Sequence, residues 1–201
     1  VKRRTAPTIL VINPGSTSTR LAVFSGRRRR FETTVDHTAK QTGRFRCIMD
    51  QQPFRERLIR AALRSNGVDT ASVDVFVGRG GLLRPLPGGV YAVNAAMLQE
   101  LRAGTHGEHA SNLGAVLARA LAKGRKAPVY IVDPPVVDEL APVARLTGLP
   151  DLPRRTAFHA LNQKAVAERA AQRLGKPYAR CRLIVAHVGG GVSVGVHRGG
   201  R

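Results

Sequence analysis

The sequence predicts an α/β fold, on three observations. Short β-branched apolar runs such as Ile9–Ile12, Val73–Val77 and Val129–Val132 have the length and composition of buried strands. Stretches of helical periodicity separate them, notably Pro53–Asn66, Ser111–Ala122 and Thr156–Leu174. A strand–turn–strand unit also occurs twice. ILVINPGSTSTRLAVFSG (Ile9–Gly26) aligns without a gap with LIVAHVGGGVSVGVHRGG (Leu183–Gly200), Asn13 falling on His187, Gly15 on Gly189 and Gly26 on Gly200. Such duplication suggests two related lobes, each offering a loop to a ligand held between them.

The first unit reads as a hairpin whose polar tip, Asn13–Thr19, consists mostly of small hydroxyl and amide residues. Gly15 permits unusual backbone angles, successive N–H groups can converge, and the hydroxyls of Ser16, Thr17 and Ser18 add donors, so the tip suits phosphate oxygens. An ordinary hairpin loop would have the same composition. Arg27–Arg30 then lead into a third strand, the four arginines lying at an exposed turn or sheet edge. The helix from Pro53 turns Phe54, Leu58, Ile59, Ala61 and Ala62 inward and stops at Asn66-Gly67. Val73–Val77 runs straight into Gly78-Arg79-Gly80-Gly81. Val90–Val93 is a short strand, and Asn94 caps a helix ending near Gly104. Ser111–Ala122 buries Leu113, Val116, Leu117, Ala120 and Leu121 and is closed by Gly124. Val129–Val132 is a strand with Asp133 at its C-terminal end, and Asp138-Glu139 serve a local helix after it. The helix from Thr156 carries Leu161, Ala165, Ala170 and Leu174 as much of its buried stripe.

With 201 residues, 43% of them hydrophobic, the chain suffices for one cored domain and part of another. No apolar run approaches the ~18 residues of a membrane helix, and VKRRTAPTILV lacks the apolar core of a signal peptide. Cys47 and Cys181 have neither zinc-site nor disulfide-framework spacing, so a reducing cytoplasm is expected. Lys and Arg number 33 against 13 acidic residues, a net charge of +20 that would attract nucleic acid. The arginines are dispersed, however, with runs at Lys2-Arg3-Arg4 and Arg27–Arg30, and aromatics total 4% with no base-reading motif. Solvated arginines with some attraction for anionic nucleotides account for the charge, and neither a nucleic acid nor a membrane partner is expected. A P-loop enzyme is excluded because GxxxxGK[ST] is absent.

Several residues carry chemistry. Arg79 stands between glycines at a strand end, and its planar guanidinium suits carboxylate and phosphoryl oxygens, though pairing with a surface carboxylate would explain it too. Asp133 occupies the kind of strand end at which α/β sheets place ligands, where a carboxylate can orient a Mg2+-bound water. Capping of the following proline-rich turn is the alternative. His106-Gly107-Glu108-His109 shows no third metal ligand and is not read as a metal site. His159, at a helix start, has the position of a cap or hydrogen-bonded packing residue, and His187 either touches phosphate or holds its turn.

Together INPGSTSTR, VGRGGLLRP, HGEHASNLG, IVDPPVVDEL, ARLTGLP, FHALNQKAVA and AHVGGGVSVGVHRGGR closely resemble the acetate/butyrate kinase family of the sugar kinase, actin and Hsp70 superfamily, from Thr8 to Arg201. The resemblance implies a ribonuclease-H-like (actin-like ATPase) lobe over residues 1–180, with residues 181–201 as only the first hairpin of a truncated second lobe. It implies ATP/ADP and Mg2+ as cofactors, and reversible phosphoryl transfer between ATP and the carboxylate of butanoate, with acetate, propionate or a branched short-chain acid as alternatives. By the same resemblance Arg79 holds the carboxylate and supports charge in transfer, Asp133 is a catalytic carboxylate, and His159 of the FHxxxxK pattern donates to the moving phosphoryl group. Asn13, Gly15, Ser16, Thr17 and Ser18 form one phosphate loop, and His187, Gly189, Gly190 and Gly191 the other, with Asn13 and Asp133 meeting Mg2+ through water. Arg84 and His109 are further candidates on the substrate side. At full length a homo-oligomer is implied; the 201-residue chain alone is expected to be inactive and a poor folder. From a different class, a non-catalytic basic fragment would bind nucleic acid or a partner.

Overall fold

The computed structural model describes residues 6–189 and 191–201. They form two compact units: one holds the residues up to Leu83 together with Val90–Val132, the other Arg84–Gly89 together with Asp133–Arg201.

The first unit starts with the hairpin β1 (Thr8–Pro14) and β2 (Ser18–Ser25), extended by β3 (Arg28–Asp36) into an antiparallel meander. A single helical turn, α1 (Ala39–Thr42), follows, started by a reciprocal Thr38–Gln41 cap. Then come α2 (Gln52–Ser65), β4 (Val75–Arg79), β5 (Val90–Ala92), α3 (Ala95–Ala103), α4 (Asn112–Leu121) and β6 (Val129–Val132). The sheet order is β3-β2-β1-β4-β6-β5, with β1, β4 and β6 parallel and β5 antiparallel to β6. Leu10, Ile12, Leu21, Phe76 and Ile131 are fully buried in this sheet. Arg27–Arg30 are exposed and run into the edge strand β3, where Glu32 pairs with Arg29 and Arg20. Asn94 caps α3 through the Met97 N–H, and Gly104 ends it in a left-handed conformation (φ 63°). On α2 the buried residues are Phe54, Arg55, Ile59 and Leu63, whereas Ala61 faces solvent; the inward stripe runs one position off the expected one and admits an arginine.

Helix α4 lies against β4, β1 and β6 and is buried from Asn112 to Ala118. Two glycines allow this approach. A side-chain carbon on Gly78 would overlap the Gly114 backbone, and one on Gly114 would overlap the backbone of Arg79. Gly81 likewise leaves room for Asn112, whose Oδ1 accepts the Leu82 N–H at 2.8 Å. Gly78 and Gly81 therefore seat a helix beside Arg79.

In the second unit α5 (Ala160–Arg173) packs on the hairpin β7 (Arg182–Val188) and β8 (Val192–Arg198). This hairpin repeats the form of the first, but its last pair is Val188↔Val192 where the first has Pro14↔Thr19, so its tip is one residue shorter. The face of α5 that is buried carries Ala160, Gln163, Ala167 and Ala171. Leu161, Ala165 and Leu174 are exposed and Ala170 is half-buried, contrary to the expected stripe, because Gln163 turns inward to bond Ser193 and His197 while alanines admit the close contact. Ile184, Val188, Val192, Val194 and Val196 share the other hairpin face and are 63–78% exposed. No helix forms at Asp138-Glu139: Asp138 accepts from the Leu140 N–H and Arg145, and Glu139 from Lys164 and the Gly88 N–H. Among the described residues no helix is long and apolar enough to cross a membrane, and both cysteines are free.

Candidate functional site

In the first unit, the tip of the first hairpin is shaped from beneath. The Gly15 N–H donates to Ser18 O at 2.7 Å and the His37 N–H to Thr17 O at 2.8 Å. Gly15 is not in the left-handed region, so its expected conformational freedom is unused; a side-chain carbon there would sit 3.4 Å from Ser18 O. Ser16 and Thr17 are exposed, and among the described residues their backbone N–H groups donate to no protein acceptor. Beneath the tip lies Arg55, whose Nη1 donates to Gly15 O at 2.7 Å and whose Nη2 donates to Ser16 O at 3.2 Å.

Because β1 and β4 run parallel with Ile12 opposite Gly78, their C-terminal ends bring Asn13 and Arg79 together. Arg79 Nη1 donates to Asn13 Oδ1 at 3.4 Å. Burial lowers the Arg79 pKa, from a value so high that the group stays charged. His109 precedes α4, and its Nδ1 is 2.8 Å from Ser111 Oγ and accepts the Ser111 N–H at 3.1 Å. Partial burial, then the Arg79 charge, holds His109 below its ordinary value although one side of it meets solvent. A neutral imidazole thus stands near a cation. Such a corner, with an oriented guanidinium and outward N–H groups, suits the oxygens of phosphate or carboxylate.

In the second unit, Asp133 is held with φ 38°, and among the described residues it is the one non-glycine with positive φ. Its Oδ1 accepts the Gly89 N–H at 2.8 Å and its own N–H donates to Gly89 O at 3.0 Å, which fixes this strained residue. His159 precedes α5 without capping it through its side chain. Its Nδ1 lies 3.0 Å from Ser193 Oγ, and its ring stacks on His187 with centroids 3.7 Å apart and planes 5° from parallel. His187 Nδ1 is in turn 2.9 Å from Asn162 Nδ2. A hydrogen-bond chain backs this pair. Tyr178, its pKa pushed up to about 12 by burial first and then by Glu139, is 2.7 Å from His197 Nδ1. His197 Nε2 meets Gln163 Oε1 at 3.0 Å, and the Gln163 amide donates to Ser193 Oγ at 2.9 Å. Lys164, the lysine of FHxxxxK, pairs with Glu139 at 2.8 Å. The Gly189 N–H donates to Gly191 O at 3.1 Å, and Gly191 lies beside the His159 ring. Gly190 lies outside the described residues. Arg84 is exposed in the loop before Gly88.

Arg55, Gln163 and Ser193 escape sequence reasoning. The available signal for Arg55 is its place on the apolar stripe, four and eight residues before Ile59 and Leu63.

Residues 140–201 match the model of the acetokinase family. The chain is 49% identical over 193 residues to butyrate kinase 1 of Clostridium acetobutylicum, covering 96% of this chain and 54% of that protein. Over nearly all of its length the chain is similar to a butyrate kinase. The chain thus spans about half the length of the curated butyrate kinase it matches. Among solved structures it is similar to acetate kinase of Porphyromonas gingivalis (TM-score 0.70, 16% identity, 98% of this chain and 56% of that one) and to a propionate kinase from Francisella tularensis (TM-score 0.60, 17% identity, 97% and 56%). At those identities the likeness concerns the fold. The β3-β2-β1-β4-β6 order, three antiparallel strands followed by two parallel ones, is the ribonuclease-H-like arrangement of the actin-like ATPases.

Proposed function

We propose that the protein containing this chain transfers a phosphoryl group reversibly between ATP and a short-chain carboxylate, butanoate foremost, with acetate, propionate or a branched acid as the alternative substrates. The reading is carried by the hairpin tip at Gly15–Ser18, whose Ser16 and Thr17 N–H groups face solvent in a chain 49% identical to a butyrate kinase. The carboxylate oxygen bonds to the γ-phosphorus as the bond to the β–γ bridging oxygen breaks, so catalysis is positioning and charge neutralisation.

In this reading Asn13 and Gly15–Ser18 receive phosphate oxygens. Arg79, oriented by Asn13 Oδ1, grips carboxylate and phosphoryl oxygens. His109, kept neutral, and the exposed Arg84 stand on the substrate side. His159 donates a hydrogen bond to the transferring group, its ring set by Ser193 and by stacking on His187, while Gly189–Gly191 form the second phosphate loop. Among the described residues no cluster of three His, Cys, Asp or Glu side chains forms a protein cage for a metal. A Mg2+ ion would keep its waters and arrive on phosphate; in this reading Asn13 and Asp133 would each meet it through water, and Asp133 Oδ2 is left over by the Gly89 contact. When bound, Mg2+ supplies charge neutralisation at the phosphate oxygens. Residues 181–201 open the second lobe in this proposal, and a homo-oligomer and a cytoplasmic location belong to it as well.

The test is a substrate panel on the natural-length protein: acetate, propionate, butanoate and a branched acid with ATP and Mg2+, acyl phosphate being trapped by hydroxylamine. Highest kcat/KM on butanoate is the expected result. A preference for acetate would move the substrate, and no product from any acid would refute the reading.

A further inference from the structure

Arg55 is 0% exposed, and among the described residues it is the one buried lysine or arginine. Its fork is fully engaged. Nε and Nη2 donate to Gln51 Oε1 at 3.0 and 2.8 Å, and Nη2 also donates to Ser16 O at 3.2 Å. Nη1 donates to Gly15 O at 2.7 Å, to Thr19 Oγ1 at 3.2 Å and to Ser18 O at 3.3 Å. Every one of these acceptors is a neutral oxygen, so the buried charge has no counter-ion among them. Keeping a cation there is expensive unless something else uses its field.

Peptide geometry says what that is. In a trans peptide unit the C=O of one residue and the N–H of the next point in opposite directions. With Gly15 C=O drawn down onto Arg55, the Ser16 N–H is turned away from it; with Ser16 C=O drawn down, the Thr17 N–H is turned away as well. These are the two N–H groups that lack a protein acceptor among the described residues. His37, 2.9 Å from Thr19 Oγ1, is held neutral by burial and then by Arg55, so it adds no second cation.

We propose that Arg55 is the positioning residue of this turn, holding the Ser16 and Thr17 N–H groups outward as a ready-made receptor for the polyphosphate of a nucleotide and adding its own unneutralised charge beneath them. The proposal rests on the phosphate reading of the turn given above. It extends that reading to a residue that touches no substrate.

The experiment measures pyrophosphate affinity by calorimetry, and pyrophosphate-induced protection of segment 13–19 by hydrogen exchange, in the natural-length protein. Arg55→Lys keeps a charge, but one ammonium cannot span Gln51 and three carbonyls. It is expected to retain the exchange pattern of the sheet while losing about tenfold in affinity, with KM for ATP rising in proportion and KM for the carboxylate unchanged. A general structural defect would move both KM values. Gln51→Met leaves Arg55 in place without its side-chain anchor, and about threefold weaker binding is expected even if Arg55→Lys proves unstable. Affinity within twofold of the unaltered protein in both variants would overturn the role of Arg55 and leave the turn as a phosphate site. If pyrophosphate fails to protect segment 13–19 in the unaltered protein, the phosphate reading of the turn falls, and this proposal with it.

Discussion

His37 shows how a single buried side chain makes the first unit sensitive to acid. Burial, and then the Arg55 charge, hold its pKa below the ordinary 6.5, and its Nδ1 has no hydrogen-bond partner among the described residues. Above pH 6.5 folded and unfolded chains both carry it neutral, and the stability associated with the shift is complete. As pH falls below 6.5 the unfolded chain takes a proton that the folded chain refuses, so stability declines until the lowered folded pKa is reached. His109 and His197 are shifted in the same direction and add to the slope. Urea unfolding followed between pH 7.5 and about 5 should show this decline, and His37→Gln should flatten it; an unchanged slope would remove His37 from the account. Arg55 belongs to the same scale. Its deletion would remove the part-buried hydrogen bonds to the carbonyls of Gly15 and Ser16, at about 1–3 kcal/mol for each bond to a charged donor.

The contact of α4 with β4 is made by backbone, and the local geometry of Arg79 depends on it. Gly78 and Gly114 meet where neither admits a side chain. Gly114→Ala, ordinarily helpful inside a helix, should here cost about 2–3 kcal/mol by forcing helix and strand apart, a loss that urea unfolding would register. Stability within 0.5 kcal/mol of the unaltered protein would show that the contact yields. Elements of this kind were largely legible in the sequence. The β-branched runs became β1, β4 and β6, and Asn94 and Gly104 bound α3 as their chemistry implies. Their faces were less so. Leu161 of α5 faces solvent because Gln163 has partners inside, and a polar residue satisfied by a distant strand looks no different in sequence from one facing water. What the GRGG glycines make room for is not legible in the sequence, because Gly78 and Gly81 meet residues of α4 more than thirty positions away.

Across the whole molecule, the repeat of one strand–turn–strand unit was the most informative feature, since β1–β2 and β7–β8 both form hairpins, the second paired one residue tighter. The sheet order confirms the expected fold, and so does the likeness to acetate kinase at a TM-score of 0.70. Candidate residues came into view unevenly for a physical reason. Those at strand ends, Asn13, Arg79 and Asp133, are marked by the break from apolar run to polar residue. Supporting groups such as Arg55 and Ser193 are marked by contacts that arise only on folding. The central claim is that Arg79 stabilises charge in phosphoryl transfer to a carboxylate. Hydroxamate formation from butanoate, ATP, Mg2+ and hydroxylamine, compared between the natural-length protein and its Arg79→Ala variant, tests it most directly. The account predicts product from the unaltered protein and a rate lower by about a hundredfold or more in the variant, corresponding to ~3 kcal/mol of transition-state stabilisation, with the urea unfolding midpoint unchanged. A near-normal rate in Arg79→Ala would contradict it.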